Sequence, residues 1–238
     1  MSIFTKTKQK IRRRQLTKLG IKTSVCKNSK LFGGSHGWVI DESKISKDSV
    51  VYSIGVGSNI DFDIALIEKF NLVVHAFDPT PRSIKWVESQ SLTKNFRFYP
   101  VGLAGQNGTM NFFPPARKSS THFSPVKRYD EDDKNIIVAP VKNLKTIASD
   151  LGHNSIDLLK MDIEGAEYEV IDSLEKSKIQ INQILIEFHH MYKGIPISKT
   201  IKAIEKLQRM GFELFNIVKG LMNFLLSGTS LITNQYLL

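Results

Sequence analysis

The sequence predicts an α/β fold whose doubly wound, mostly parallel sheet contains one antiparallel strand. Apolar runs rich in β-branched residues alternate with amphipathic stretches along most of the 238 residues. Such alternation is typical of parallel strands joined by right-handed helical crossovers. Near the end of the chain, two apolar runs at 212–218 and about 230–234 have no helix between them. This pair predicts an antiparallel strand inserted beside the last parallel one.

The first half of the chain predicts strands that end in glycine or proline turns. Asp61 is placed to cap the helix after the first strand. Thr80 followed by Pro81 is a helix-start signature, because a capping hydroxyl precedes a proline at the first helical position. The predicted strands of this half are 50–54, 72–77, 96–103 and 109–113, the last pairing back across the turn at 105–108.

The second half repeats the alternation after a long loop. Residues 114–135 contain three prolines and an acidic run, which predict a loop long enough to be functional. Its candidate contacts with an acceptor substrate are Arg117, Lys118 and His122. Asn143 is placed to cap the next helix. The predicted strands of this half are 136–139, 156–161 and 181–188, and the predicted helices are 143–151, 166–174 and 198–210.

Positive charge is concentrated at the start of the chain. The first 30 residues hold ten Lys and Arg and no acid, out of 33 basic and 23 acidic residues, which leaves 23 of each sign elsewhere. We therefore divide the chain into a basic N-terminal extension, residues 1–32, and one larger domain, residues 33–238. A block of like charge either stays solvated or contacts nucleic acid or another anionic surface, and both interpretations stay open.

Cysteine content and hydropathy indicate a compartment. Cys26 is the single cysteine, so the sequence excludes an internal disulfide and a cysteine-based zinc site. A lone thiol fits a reducing compartment, and no apolar run reaches the 18 residues of a membrane span. The basic N-terminus also lacks the apolar segment of a signal peptide. We expect a cytoplasmic protein without a transmembrane segment, and leave its oligomeric state open.

A glycine turn and an acid predict one ligand site. Gly55 and Gly57 follow the first predicted strand, where a G-x-G turn lets the backbone approach a ligand closely. Asp78 ends the second predicted strand, and an acid there accepts hydrogen bonds from the ribose hydroxyls of an adenosine ligand. Ile60 occupies the third glycine position of the dinucleotide fingerprint, which argues against an NAD-dependent oxidoreductase. A purely structural turn is the other alternative.

A second set of candidates follows two later predicted strands. Asp162 and Glu164 come directly after one strand, and Glu187 and His189 share a face at the end of the next. If these strands are adjacent, the four side chains converge on one edge of the sheet. Such a cluster can orient a cationic cofactor, act as a general base or bind a hard metal ion. Alternatively, Glu164 and Glu167 complement the dipole of the following helix and Glu187 is a partly buried structural acid.

Four segments together resemble the FkbM-type methyltransferases, which are class I enzymes dependent on S-adenosylmethionine. Their order and spacing match the family from about residue 33 to 235. The resemblance implies a Rossmann-like sheet of seven strands in which the seventh is antiparallel. The segments are SIGVGSNI at 53–60, HAFDP at 75–79, LLKMDIEGAE at 158–167 and IEFH at 186–189.

The resemblance also implies a cofactor site. The turn from Gly55 to Asn59 would hold the methionine part of S-adenosylmethionine, and Asp78 the ribose. Ser53 departs from the family, because many of its members have an acid at or near this position. The implied cofactor-binding residues are Ser53, Gly55, Gly57, Asn59, Asp78, Gly102, Leu103 and Asp162, with Gly102 and Leu103 beside the adenine.

These observations predict a methyltransferase that acts on a hydroxyl of a sugar, glycan or small metabolite. A hydroxyl must lose its proton as the new bond forms. The predicted catalytic residues are Asp162, Glu164 and His189, with His189 or Asp162 as general base, and the predicted acceptor contacts are Glu187 and His122. No metal ligand is assigned; a divalent metal is compatible with the acids but not indicated. The alternatives are a nucleic-acid-binding or nucleic-acid-modifying protein that uses the basic extension, and a catalytically degenerate scaffold.

Overall fold

A seven-stranded sheet forms the centre of the molecule. The structure is a computed structural model that describes residues 18, 20, 21, 24–115, 122–127, 135–190, 192–218 and 223–228. The strands lie in the spatial order β11 (Phe212–Val218), β12 (Asn223–Gly228), β10 (Gln180–Glu187), β9 (Ser155–Met161), β3 (Val51–Ile54), β4 (Val74–Phe77) and β5 (Phe96–Tyr99). The five strands from β10 to β5 are parallel, and β12 is antiparallel to both of its neighbours. The prediction of an α/β fold with a mostly parallel sheet is confirmed.

Helices cover both faces of this sheet, because successive side chains of a buried strand point to opposite sides. Val51 and Leu158 pack in one apolar cluster, and Tyr52 and Leu159, their chain neighbours, pack in the other. The first cluster, called the α1 cluster, includes side chains of α1 (Asp61–Phe70) and α2 (Pro81–Glu88). The second cluster includes side chains of α3 (Leu144–Asp150), α4 (Glu167–Ser177) and α5 (Ile197–Arg209).

Two smaller sheets flank the central one. A hairpin of β1 (Ser29–Phe32) and β2 (Trp38–Asp41) is antiparallel, and its β2 side chains are buried in the α1 cluster. The other small sheet consists of β6 (Gly102–Leu103), β8 (Ile137–Lys142) and β7 (Gly108–Phe112), in this order. Neither sheet was predicted. The hairpin begins before residue 33, while the predicted division into 1–32 and 33–238 stays a prediction.

The single strand predicted at 96–103 is wrong, because the chain forms two strands there in different sheets. Pro100 lies between β5 and β6, and a proline has no N–H to continue a ladder of hydrogen bonds. The predicted pairing of 109–113 back onto this strand is also wrong. β7 instead pairs antiparallel with β8, where Phe112 lies opposite Ile137.

The helices begin near the predicted positions, but the predicted capping by Asp61 is wrong, because Asp61 is the first helical residue of α1 and Ile60 holds the N-cap position. The side chain of Asn143 accepts a hydrogen bond from the Thr146 N–H at 2.9 Å and so caps α3 as predicted. Thr80 precedes Pro81 at the start of α2, but its hydroxyl donates to Asp78 and accepts no hydrogen bond from a helix backbone N–H, so the predicted cap is not formed. The strand predicted at about 230–234 lies outside the described residues. Within the described part of the chain, every helix is too short or too polar to cross a bilayer.

Candidate active site

A cavity lies at the carboxyl edge of the central sheet. Its volume is about 740 Å³, which is the size of a small-molecule site. Its walls come from the ends of the parallel strands and from the turns that follow them. They include Gly55, Gly57, Asn59, Asp63, Asp78, Gly102, Leu103, His122, Lys160, Asp162, Glu164 and Glu187.

The glycine turn after β3 lies directly against the acidic segment after β9. Gly55 has a φ of 84°, in the left-handed region. A Cβ atom at this position would lie 1.7 Å from the carbonyl oxygen of Asp162, so only glycine fits. The Gly55 N–H donates to the carbonyl of Phe77 at 2.9 Å. The turn is therefore held by both neighbouring strands, and its backbone forms one wall of the cavity.

Asp78 is a buried carboxylate that contacts the glycine turn. Its Oδ2 accepts a hydrogen bond from the Gly57 N–H at 3.0 Å. Its Oδ1 accepts from the N–H and the hydroxyl of Thr80, at 2.9 and 2.7 Å. A carboxylate has about four acceptor positions, so Asp78 keeps capacity for a ligand hydroxyl at the cavity wall.

Glu167 fixes the orientation of the His189 ring. The carboxylate of Glu167 is fully buried at the start of α4, and its Oε1 accepts two backbone N–H groups at 3.3 and 3.1 Å. The same oxygen lies 2.8 Å from His189 Nδ1. The other ring nitrogen, Nε2, therefore points between Asp162 and Glu164, at 3.7 and 3.6 Å from their carboxylate oxygens.

Glu164 connects the acidic segment to the long loop. It adopts a left-handed φ of 55°, and its carbonyl accepts from the Ser124 hydroxyl at 2.6 Å. Its Oε1 lies 2.8 Å from His122 Nδ1, and its Oε2 accepts from the Tyr192 hydroxyl. Burial opposes ionisation of Glu164. The His122 contact, the charge of His189 and the Tyr192 hydroxyl outweigh it and lower the pKa to about 2. Glu164 is thus an ionised anchor for the loop.

The remaining charged groups of the cavity have displaced pKa values. Burial raises the pKa of Glu187 to about 7, and the charge of Asp162 adds to the effect. Burial also raises the pKa of Asp162, against the charges of Lys160 and His189. For His189, burial favours the neutral ring, but the Glu167 hydrogen bond and the nearby carboxylates prevail and raise the pKa to about 10. At neutral pH His189 is an imidazolium.

Residues 27–214 match the family model described as the methyltransferase FkbM domain. The chain belongs to the FkbM methyltransferase family. This FkbM domain is 25% identical over 187 residues to the probable methyltransferase-like protein 24 of Homo sapiens, which covers 74% of this chain and 44% of that protein. It is also 25% identical over 166 residues to the 2-O-methyltransferase NoeI of Sinorhizobium fredii, covering 62% of this chain and 67% of that protein.

Two further comparisons concern length and fold. The chain spans less than half of the methyltransferase-like protein 24 sequences, 45% of the Rattus norvegicus protein and 44% of the human one. Among solved structures, it is similar to the Methanococcus jannaschii fibrillarin pre-rRNA processing protein, with a TM-score of 0.47 and 12% identity. That similarity covers 87% of this chain and 86% of the other.

The FkbM domain brings most of the predicted site residues to one cavity. Asn59 reaches its wall, but its side chain hydrogen-bonds to Asp61 at the start of α1. Ser53 is fully buried inside β3, behind the wall. Arg117 and Lys118 lie outside the described residues. The predicted residues that line the cavity are Gly55, Gly57, Asn59, Asp78, Gly102, Leu103, His122, Asp162, Glu164 and Glu187, and His189 contacts Asp162 and Glu164.

Four residues of the site were not assigned to it from the sequence. Lys160 could have been recognised from the sequence, because a lysine inside the apolar run of β9 is unusual. Glu167 was interpreted as a partner of the helix dipole, and its role under His189 depends on the neighbouring strand. Asp63 and Tyr192 gave no local signal, because only the tertiary fold brings them to the cavity.

Asp162, Glu164 and His189 also form a donor set that suits a cation. One ligand atom from each lies within 4.8 Å of the others. Two carboxylates and an imidazole nitrogen are ligands that divalent ions accept. The contact from Glu167 to the far ring nitrogen is the arrangement that orients metal-binding histidines. The two carboxylates therefore favour a positively charged ligand, and a metal ion would in addition have to displace the proton on His189 Nε2.

The Glu167–His189 contact predicts a stability that falls with rising pH. The folded pKa of His189, about 10, is above its ordinary value of 6.5. Its stabilisation is therefore complete below about pH 6.5 and is lost as the pH rises towards 10. Denaturant unfolding of the wild type between pH 6 and 10 should show this loss, and Glu167→Gln should flatten the curve. Parallel curves for the two proteins would contradict the assignment.

Proposed function

We propose that this FkbM domain transfers the methyl group of S-adenosylmethionine to a hydroxyl of a sugar, glycan or small metabolite. One observation carries the proposal: the glycine turn and the Asp78 carboxylate share a cavity with the carboxylates of Asp162 and Glu164. An adenosine-binding arrangement and a proton-accepting cluster at one sheet edge are what such a transfer requires. The similarity to NoeI, a 2-O-methyltransferase, supports oxygen as the acceptor atom.

The residues present fit the donor. When bound, S-adenosylmethionine supplies an activated methyl group on a positively charged sulfur. Asp78 has acceptor capacity for ribose hydroxyls, and the buried Leu103 offers an apolar wall for adenine. At Gly102 a Cβ would lie 3.0 Å from the Pro79 ring, so glycine lets β6 pack closely against Pro79 at this wall of the cavity. The carboxylates around Asp162 favour a cationic ligand electrostatically.

The carboxylates Asp162 and Glu187 are our candidates for accepting the proton of the acceptor hydroxyl. His189 was the other predicted base, but an imidazolium with a pKa near 10 has no lone pair on Nε2 to offer. A general base works best when its pKa is near the working pH, and the pKa of Glu187 is about 7. His189 would instead stabilise the ionised form of Asp162 and fix its position, since Nε2 lies 3.7 Å from Asp162 Oδ1.

The role of the basic extension and the cellular compartment of the protein are expectations from the sequence. Residues 1–17 of the extension lie outside the described residues, and contact with nucleic acid or another anionic surface remains a proposal for the extension. Such contact predicts salt-sensitive binding that deletion of residues 1–30 removes. Cytoplasmic location likewise stays a prediction from the sequence.

Donor binding is the first test. Calorimetric titration of the wild type with S-adenosylmethionine and S-adenosylhomocysteine should show binding of both. Asp78→Asn keeps the side-chain size but removes the charge, and should weaken both ligands about tenfold to a hundredfold, since charge-assisted hydrogen bonds contribute about 1.5–3 kcal/mol. Far-UV circular dichroism checks that the variant folds. A folded wild type that binds neither ligand would move the scaffold alternative to the front.

A further inference from the structure

A buried acid, Asp63, lies at the cavity wall beside the glycine turn. It belongs to the first turn of α1 and is only 1% exposed. On the sheet beneath, Ser53 of β3 and Lys160 of β9 are register partners. Both face α1, because Val51 and Leu158, two residues earlier on each strand, pack in the α1 cluster. Three polar side chains therefore meet beneath a helix whose other buried residues are apolar.

Asp63 has few donors for a buried carboxylate: the neighbouring Ser53 hydroxyl and the Asp63 backbone N–H lower its pKa against the larger effect of burial, but within the described part of the chain its Oδ1 atom keeps no close partner. Among the described residues, none hydrogen-bonds to Asp63 Oδ1 or to Ser53 Oγ. Lys160 is the nearby cation, but its ammonium group donates to the Gly55 carbonyl at 3.0 Å. Burial raises the pKa of Asp63, and the charge of Lys160 opposes this rise without cancelling it. A buried carboxylate with an unsatisfied oxygen is unfavourable unless a ligand supplies a donor.

We propose that Asp63 binds the α-ammonium group at the methionine end of the donor. The inference rests on the proposed function, because it needs the donor in the cavity beside the glycine turn. An α-ammonium group carries three N–H donors and a positive charge, which match an under-satisfied buried carboxylate. Asp63 presents this carboxylate from α1, adjacent to the Ser53 hydroxyl.

A structural role for Asp63 must be separated from ligand binding, because an acid in the first turn also complements the helix dipole. Asp61 is the matched control, since it is the same residue type in the same turn of α1. Its side chain is exposed and hydrogen-bonds to Asn59 Nδ2 at 3.1 Å. Asp61→Asn therefore removes the same charge from the same helix end and leaves Asp63 in place.

Two ligands separate the methionine end of the donor from the nucleoside end. S-Adenosylhomocysteine carries the α-ammonium group, whereas 5′-methylthioadenosine has the same nucleoside and thioether without the amino-acid end. In calorimetric titrations, Asp63→Asn should weaken S-adenosylhomocysteine about 10- to 100-fold and change 5′-methylthioadenosine less than about threefold. Asp61→Asn should leave both affinities at the wild-type values.

Three outcomes would decide the inference. Equal losses for the two ligands, or an unchanged affinity for S-adenosylhomocysteine, would overturn the role of Asp63. If Asp63→Asn does not fold, Asp63→Ser is measured in the same way, and the same ligand difference is expected. A wild type that binds neither ligand would instead overturn the proposed function, and this result differs from both failures of the Asp63 assignment.

Discussion

Asp162→Ala is expected to abolish methyl transfer by a domain that still folds. The Asp162 carboxylate is half-buried at the cavity edge and has a raised pKa, caused first by burial. Loss of a positioned general base lowers turnover about 10²- to 10⁴-fold. The contribution of this residue to the fold comes from its backbone, since its N–H donates to the Ile54 carbonyl at 3.1 Å. A side-chain substitution leaves that hydrogen bond in place.

The measurement is turnover with saturating donor and a glycan acceptor, together with the affinity for S-adenosylhomocysteine. Asp172→Asn is the control, because Asp172 is an exposed acid of α4 that contacts Lys206 away from the cavity. It should retain wild-type turnover. Asp162→Asn should resemble Asp162→Ala, since an amide keeps the size of the side chain but accepts no proton. Wild-type turnover by either Asp162 variant would remove this residue from the mechanism and leave Glu187 as the proton acceptor.

The parallel strands of the centre could be predicted because their signals are local. Residues 50–54 and 156–161 are short apolar runs that end at a glycine turn and at two carboxylates, and both form strands of the central sheet. A buried parallel strand needs such a continuous apolar run. The same segments carried the site prediction, because the carboxyl ends of adjacent parallel strands meet at one edge.

The rest depended on pairings between distant segments, which local patterns do not record. β8 pairs with β6 and β7, from which it is separated in sequence by residues 114–135. The sequence of β8 itself showed only an apolar run, which does not identify its partners. The charge state of His189 was missed for the same reason. Its contact with Glu167 joins residues 22 positions apart, and this contact changes a candidate base into an imidazolium. The residue types alone predicted which residues take part in the site, but not their protonation states.

Gly55→Ala is expected to destabilise the fold and remove donor binding together. The new Cβ would lie 1.7 Å from the carbonyl oxygen of Asp162, which is backbone and cannot turn away. The φ of 84° adds the strain of a left-handed residue. Overpacking costs about 1–3 kcal/mol and left-handed strain about 1–2 kcal/mol, so the free energy of unfolding should fall by about 2–5 kcal/mol. The β3 and β9 ends must separate to relieve the clash, which displaces the turn from the donor.

Gly152→Ala separates the two contributions. Gly152 also has a left-handed φ, 72°, but a Cβ there meets nothing within 4 Å. This variant should lose only about 1–2 kcal/mol of stability, the strain alone, and keep its affinity for S-adenosylhomocysteine. Denaturant unfolding and calorimetric titration of both variants give the comparison. If Gly55→Ala is as stable as Gly152→Ala and binds the ligand normally, the contact between the glycine turn and Asp162 does not shape the donor site. If it loses both properties, the close approach of these two strand ends is what connects the fold to donor binding.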